Sequence, residues 1–375
     1  MFNENLLKVA VFNNKVLHCQ HNLFTMGTIL VTGGCGFIGS HTIVDLLENG
    51  YDVISIDDNS RSTDIAIAGI EKITGKKIKN YLVDLKNYDE TRAVFQENEN
   101  IAGIIHFAAY KAVGESVEQP ILYYENNLFG LINLLKCVTE FNVPNFVFSS
   151  SCTVYGNPDA IPVTEQSPTK EAESPYGATK QMGERIIKDF TQTQTTTAIL
   201  LRYFNPVGAH PTNYLGELPL GKPMNLVPVI TQTGIGKLPQ MFVYGTDYDT
   251  RDGSCVRDYI HVCDIAHAHT LAIEYLINAK NKTKCDVFNL GTGNGVTVLE
   301  AIEMFEKISG VKLNYETGPR RAGDVVAIYA NNECAVNELG WKIEYNLEAM
   351  MKTAWDWELK LKKEADLIQQ QSLLN

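Results

Sequence analysis

The sequence predicts an α/β protein in which a Rossmann-type, doubly wound parallel sheet is followed by a smaller C-terminal α/β domain. Three observations carry that expectation. Residues Thr28 to Asp58 run through an apolar stretch, a glycine-rich turn, an amphipathic stretch, a second apolar stretch and an acidic pair. Beyond them, short apolar runs alternate with helical patterns as far as Tyr203, the mark of a parallel sheet covered by helices on both faces. After Asn205 the texture changes to prolines and glycines (Pro206, Gly208, Pro211, Gly216, Pro219, Gly221, Pro223, Pro228), which suggests a loop-rich second domain.

In chain order, residues 1–25 alternate short apolar pieces with Asn, Lys and His and lack the unbroken apolar core of a signal peptide. They are expected to lie outside the fold, with Met26 just ahead of the first strand. The run Ile29, Leu30, Val31 then enters the turn Gly33, Gly34, Cys35, Gly36, Phe37, Ile38, Gly39. Gly34 and Gly36 are expected to leave no side chain between backbone and a pyrophosphate, and Gly39 to let the following helix sit close on the strand. That helix, Ser40 to Asn49 and closed by Gly50, presents free N–H groups and a positive dipole end to an anion. The next strand, Val53 to Ile56, delivers Asp57 and Asp58 roughly 20 residues after the turn, where a ribose-binding acid belongs. A carboxylate there accepts from both ribose hydroxyls and repels a 2′-phosphate, which favours NAD over NADP. Arg61 reads as a solvated loop residue, and Cys35 as a small side chain packed under the cofactor.

Further strands are expected at Lys79 to Val83, Ile101 to Phe107, Phe146 to Ser150 and Thr197 to Tyr203, with helices at Asp89 to Asn98, Tyr123 to Phe141 and Tyr176 to Gln192. The domain division that follows is 1–25 extension, 26–205 nucleotide-binding domain and 206–375 substrate domain.

Composition narrows the function. Thirty-two Lys and Arg stand against 44 Asp and Glu, a net charge of −12 without a basic run, so nucleic acid is not an expected partner. Hydrophobic residues make up 45% of the 375, enough to bury a large core, and no stretch reaches the roughly 18 to 20 consecutive apolar residues of a membrane span. Eight cysteines without a CxxC pair fit reduced thiols in a cytoplasmic protein. His261, Asp264, His267 and His269 look like a metal cluster, but His267 and His269 are two apart and face different directions on a helix, so no metal is expected.

The chemistry is expected where the fifth strand ends, at Ser149, Ser150, Ser151, Cys152 and Thr153, and in the helix that Ser174 and Pro175 start. Tyr176 and Lys180 are four apart and share one face of that helix. A tyrosine hydroxyl titrates near 10, too high for a base at neutral pH; a nearby ammonium and a nicotinamide cation favour its phenolate. Ser151 is placed to hold the reacting oxygen and share its proton.

These residues resemble the extended short-chain dehydrogenase/reductases and, within them, the family of UDP-glucose 4-epimerases. The likeness runs from about Thr28 to Trp357 and rests on KAVGESV (Lys111 to Val117), SSSCTVYG (Ser149 to Gly156), LRYFNPVGAHP (Leu201 to Pro211) and VRDYIHV (Val256 to Val262). It implies catalysis by Ser151, Tyr176 and Lys180. It implies NAD contacts from Gly33, Gly34, Gly36, Phe37, Ile38, Gly39, Asp57, Asp58, Asp84 at the adenine, Leu85, Phe107, Ala108, Lys111 near the pyrophosphate, Asn126, Tyr176, Lys180 and Phe204. The UDP-sugar is expected against Ser151, Asn205, Asn225, Leu226, Tyr244, Arg257, Arg321, Asp324 and Ile328. Arg257 and Arg321 suit a diphosphate and Tyr244 a uracil face.

The implied reaction takes the hydride of sugar C4 to tightly bound NAD, forms a 4-keto sugar and returns the hydride to the other face, interconverting UDP-glucose and UDP-galactose. A homodimer through the Tyr123 to Phe141 and Tyr176 to Gln192 helices is implied too. A 4,6-dehydratase of the same superfamily needs an acid and a base beside the strand-five serine, and Ser151, Cys152, Thr153 contain neither. A net oxidoreductase with exchanging cofactor is disfavoured by the UDP-binding strings, and a silent NAD sensor by the retention of Tyr176 and Lys180. Another NDP-sugar epimerase stays open as the alternative. Ile328, where family members with tyrosine exclude N-acetylated sugars, predicts slower turnover of those sugars as well.

Overall fold

The computed structural model describes residues 27–321 and 324–374; the expected extension at residues 1–25 lies outside them. In chain order the elements are β1 (Thr28–Thr32), α1 (Phe37–Glu48), β2 (Asp52–Ile56), α2 (Ile65–Thr74), β3 (Lys79–Tyr81), α3 (Tyr88–Glu97), β4 (Ile101–His106), α4 (Val113–Glu118), α5 (Pro120–Tyr124), α6 (Gly130–Glu140), β5 (Asn145–Ser151), α7 (Pro175–Thr193), β6 (Thr197–Tyr203), β7 (Asn205–Val207), α8 (Leu226–Gly234), β8 (Met241–Tyr244), β9 (Val256–Arg257), β10 (Tyr259–His261), α9 (Val262–Ile277), β11 (Cys285–Leu290), β12 (Val296–Thr297), α10 (Val298–Ser309), β13 (Tyr315–Gly318), β14 (Ala327–Ile328) and α11 (Leu347–Leu374).

Seven strands form one parallel sheet in the order β11-β6-β5-β4-β1-β2-β3. The order reverses between β1 and β4, and a crevice opens at the carboxyl ends of strands on either side of such a switch. The sheet is covered on both sides, which is why β1 reads as an unbroken apolar run: Ile29, Leu30 and Val31 are all fully buried. Ile29 and Val31 join a core with Ile43, Val44 and Leu46 of α1 and with Ala268, Ala272 and Ile273 of α9. Leu30 faces the other way, into a core with Val94 and Phe95 of α3, Leu131 and Leu134 of α6 and Ile187 of α7.

The second lobe packs α8, α10 and α11 against short strand pairs around Phe305 and Trp355, whose rings meet edge to face at 5.2 Å. The chain does not stay there after residue 206. It returns to the first sheet, where β11 pairs with β6 from Cys285↔Ala198 to Leu290↔Tyr203 and α9 packs against α1, so the two lobes interleave across the 205/206 boundary expected from texture. Local periodicity registers a buried strand, not the sheet it joins.

The single helix expected at Tyr123 to Phe141 is built in pieces. Pro120 starts α5, residues Glu125–Phe129 take π-helical geometry, and α6 resumes at Gly130. A π turn inserts one extra residue per turn and re-aims the side chains on either side of it. Here Asn127 turns inward, accepting from Tyr110 N at 2.8 Å and donating to Thr179 Oγ1 at 3.1 Å, while Asn126 lines the crevice.

Candidate active site

The glycine turn is shaped by contacts that no side chain could share. Gly33 has φ +73°, and a Cβ there would stand 2.8 Å from Ala108 N; a Cβ on Gly39 would stand 2.2 Å from Gly33 O. Gly36 caps α1 without any side-chain hydrogen bond, so the first-turn amides are left for an anion. Gly34 differs from expectation. Its missing side chain faces inward, where a Cβ would meet Ser55 Oγ at 2.2 Å and Ile43 Cδ1 at 2.7 Å, so it serves the packing of α1 on β2 and does not line the crevice.

Asp57 is held in place from three sides. Its carboxylate accepts from Cys35 N at 2.9 Å, Asn59 N at 3.0 Å and Ser62 Oγ at 2.8 Å. Burial raises its pKa, and those bonds oppose the rise by favouring the ion.

From this turn a cleft of about 810 Å³ runs past Asp57, Asp58, Asp84, Leu85, Phe107, Ala108, Lys111 and Asn126 to Ser151, Tyr176, Lys180, Phe204, Asn205 and Asn225. The glycine turn and the serine–tyrosine–lysine group therefore open into one space. β5 supplies Ser151 at its last residue. Ser174 starts α7 by accepting from Gly177 N at 3.2 Å, with Pro175 at the first helical position, and so aims Tyr176 and Lys180 back at the strand end.

Lys180 is 4% exposed and donates to Ser149 O at 2.6 Å. The Ser149 hydroxyl bonds Tyr203 Oη, and Ser151 Oγ accepts from Thr153 N at 3.2 Å. Burial pushes the Lys180 ammonium down to about 7, and Glu184 opposes that. Tyr176 is pushed up by burial first and by Tyr203 second, with the Ser151 hydrogen bond working against both. The expectation was a phenol lowered by Lys180. The ammonium instead bonds the Ser149 carbonyl and lies 5.9 Å from the Tyr176 ring centroid, so in the protein alone desolvation wins.

The residues assigned to UDP divide. Asn205 and Asn225 line the cleft, and Leu226 opens α8, whose cap Asn225 makes no side-chain cap bond. Tyr244, Arg257, Arg321 and Asp324 instead form a cluster of their own, not on the cleft wall. Arg321 bonds Asp324 at 2.7 and 3.1 Å and stands 5.9 Å over the Tyr244 ring, and Arg257 reaches Asp324 at 3.5 Å and Val325 O at 2.6 Å. Ile328, expected on the sugar-pocket wall, is 5% exposed and packs with Val154, Tyr155 and Val163 behind Phe204. Its two-residue strand pairs Ile328 with Arg257.

Sequence reasoning passed over Glu217. It accepts from Lys111 Nζ at 2.9 Å and from Asn225 Nδ2 at 2.7 Å, tying the expected cofactor side of the cleft to the expected substrate side. A lone glutamate in a Pro/Gly-rich stretch carries no signal of that. The histidines of α9 and its cap are placed separately: His261 stacks on Tyr345 at 4.0 Å, His267 meets Asp45 at 3.2 Å and His269 bonds Ile265 O at 2.8 Å. Among the described residues, no group of three or more His, Cys, Asp or Glu is placed to hold a metal ion.

The chain is similar to known proteins over most of its length. The family model described as GDP-mannose 4,6 dehydratase matches residues 30–354. The UDP-glucose 4-epimerase uge1 of Schizosaccharomyces pombe is 49% identical over 339 residues, covering 89% of this chain and 94% of that protein. Among solved structures, UDP-glucose 4-epimerase from Bifidobacterium longum, in complex with NAD+ and UDP, has a TM-score of 0.85 at 47% identity and covers 89% of this chain and 98% of its own. The enzyme from Stenotrophomonas maltophila, with bound NAD and formylated UDP-arabinopyranose, has a TM-score of 0.87 at 42% identity, covering 90% and 99%.

Proposed function

The chain belongs to the UDP-glucose 4-epimerases, within the superfamily that the dehydratase model also describes, and on that premise we propose how its residues carry out the reaction. The protein is an NAD-dependent epimerase that interconverts UDP-glucose and UDP-galactose. The observation that carries this reading is the single cleft joining the glycine turn to Ser151, Tyr176 and Lys180 and continuing to Asn205 and Asn225.

The site fits NAD by its own chemistry. The uncapped start of α1 takes the pyrophosphate, the Gly33 and Gly39 contacts leave room only for backbone, and Asp57 has oxygens already oriented by three donors toward which ribose hydroxyls donate. Asp84, Leu85, Lys111 and Asn126 line the same cleft, and the first two would meet the adenine. Bound NAD supplies the acceptor and donor of the C4 hydride, so that the sugar passes through a 4-keto stage.

Tyr176 removes the proton of the sugar 4-hydroxyl and gives it back, and Ser151 holds that oxygen. Because burial raises the Tyr176 phenol, its phenolate needs positive charge in the cleft; Lys180 supplies it while protonated, and a bound nicotinamide would add a second cation. UDP is gripped at the start of α8 and by Arg257 and Arg321, planar cations suited to a diphosphate. Binding energy spent on UDP rather than on the hexose leaves the 4-keto sugar free to present its other face. A 4,6-dehydration is disfavoured by Cys152 and Thr153 after Ser151, where no acid stands.

The exposed apolar side chains Ile121, Phe129, Ile132 and Met182 lie on α5, the π turn, α6 and α7, and they support a homodimer through these helices. Light scattering at micromolar concentration is expected to give twice the chain mass, and Phe129→Glu to halve it; a monomer in the unmodified protein would remove this part of the reading. The seven described cysteines are free and no described helix is long and apolar enough to cross a membrane, in keeping with a cytoplasmic site of action.

The decisive experiment incubates the purified protein with UDP-galactose, adds no cofactor, and measures UDP-glucose. Conversion is expected because NAD stays bound between turnovers. Absence of conversion, with NAD shown to be bound, overturns the epimerase reading.

A further inference from the structure

A charged row crosses the sheet beside the catalytic serine. Ser150 of β5, Arg202 of β6 and Asn289 of β11 are register partners on adjacent strands. They share the sheet face of Phe148 and Leu200, which packs into the core under α3, α6 and α7. Glu184 of α7 meets the middle of this row. Its carboxylate accepts from Ser150 Oγ at 2.6 Å and from Arg202 Nε at 2.8 Å and Nη2 at 2.6 Å. Arg202 goes on to donate to Tyr155 Oη at 3.0 Å, and Tyr155 to Asn289 Oδ1 at 2.6 Å.

Glu184 and Arg202 are 4% and 3% exposed. Taking an ion pair out of water costs about what its attraction returns, and well-packed apolar residues of equal volume serve stability as well or better. The position of the pair gives a different reason for it. Glu184 follows Lys180 by four residues and Tyr176 by eight, on the same face of α7. Ser150 lies between Ser149, whose carbonyl accepts from Lys180, and Ser151, which lines the cleft with Tyr176. The carboxylate thus ties helix to strand at the point where both carry the reacting groups.

We propose that Glu184, locked by Arg202 and Ser150, is a positioning residue of the active site: its charge keeps Lys180 a cation, and its bonds hold α7 against β5 so that Tyr176 stays at Ser151. The proposal rests on the epimerase reading above. Burial drives Lys180 down to about 7, and Glu184 is the group that opposes it. The other titratable groups on the elements around Lys180 bring no competing anion at neutral pH. His106 on β4 is pushed down to about 3 and stays neutral, Cys152 beside β5 and Tyr203 on β6 are pushed up to about 12, and Tyr123 on α5 and Tyr176 are raised. Arg202, paired with Glu184 at 2.6 Å, is the opposing cation and offsets part of the carboxylate charge.

The test compares the NAD-bound unmodified protein, Glu184→Gln, and the double variant Glu184→Gln with Arg202→Gln, which strands no charge. The readouts are kcat and KM for UDP-galactose across pH 7 on both sides, and melting temperature. Without the carboxylate Lys180 gives up its proton at lower pH, so the alkaline limb of kcat moves to lower pH by on the order of one unit, with KM little changed. The double variant is expected to melt closer to the unmodified protein than the single variant does and to show a smaller displacement of the limb in the same direction, because the Arg202 cation is lost with the carboxylate. A limb that stays at its original pH in the double variant reduces Glu184 to a structural role and overturns the proposal; this comparison decides even if the single variant does not fold. An unmodified protein that fails to convert UDP-galactose overturns the epimerase reading instead, so the two failures are distinguishable.

Discussion

At the scale of single residues, the site depends on what burial does to a titratable group. Tyr176 is raised above its ordinary value by desolvation, so its use as a base requires positive charge brought beside it. Tyr176→Phe removes the transferable proton and leaves the ring's packing. Turnover is expected to fall by on the order of 10² to 10⁴ with UDP binding nearly unchanged, as read by single-turnover kinetics and calorimetry. A phenylalanine variant with normal turnover assigns the proton transfer to another group. Ile328 acts from behind Phe204, so the effect of its size on the sugar pocket passes through that neighbour. We expect UDP-N-acetylglucosamine and UDP-N-acetylgalactosamine to be interconverted, more slowly than the hexose pair. Ile328→Tyr, which overpacks a site only 5% exposed, should lose that breadth and about 1–3 kcal/mol of stability. Failure of the unmodified protein to turn over the acetylated pair, with the hexose pair active, removes the idea.

At the scale of elements, β1, the glycine turn and α1 behave as one unit. Alanine in a helix ordinarily gains stability over glycine, yet at Gly39 the added Cβ would stand 2.2 Å from Gly33 O, a backbone atom that cannot move without opening the turn. The clash outweighs the propensity. Gly39→Ala is therefore expected to lower the melting temperature and to yield protein with less NAD after purification, measured by absorbance of the cofactor released on denaturation. Full NAD content in a stable Gly39→Ala protein would show that the turn has room to relax. This unit was legible because its parts are local: a strand, a turn and a helix within about 30 residues, at the spacing of a nucleotide-binding turn. What each glycine faces was not legible: Gly33 meets Ala108 and Gly34 meets Ser55, and spacing alone does not tell a glycine facing a ligand from one facing a strand.

At the scale of the molecule, buried histidines set the response to acid. His41, His106 and His261 are pushed down to about 3 and His269 to about 4, all by burial first. Below about 6.5 the unfolded chain binds protons at these sites and the folded chain does not, so each costs about 1.4 kcal/mol per pH unit as the pH falls toward its folded value. Asp264, raised to about 6, works the other way, because the folded state takes up its proton first. His210, lowered by burial, adds to the loss, and His267, raised by its hydrogen bond to Asp45, works against it; five histidines against His267 and Asp264 leave a net loss, and the melting temperature is expected to fall between about pH 6.5 and 5. A melting temperature that holds or rises over that interval would mean that the histidines gain partners or solvent in acid.

The sequence by itself determined the fold class, the nucleotide turn and the Tyr176–Lys180 pairing, because each depends on spacing within one segment: a period of two or of 3.6, and a turn that only glycine can make. Only the tertiary structure decided that β11 returns to the first sheet, that Lys111, Glu217 and Asn225 meet across the cleft, that Ile328 lies behind Phe204, and that Glu184 closes on Arg202 beneath the catalytic serine. Those contacts join segments far apart in the chain. Burial patterns say that such residues must find partners; sheet order and helix packing choose which ones, and neither is written in any single stretch of the chain.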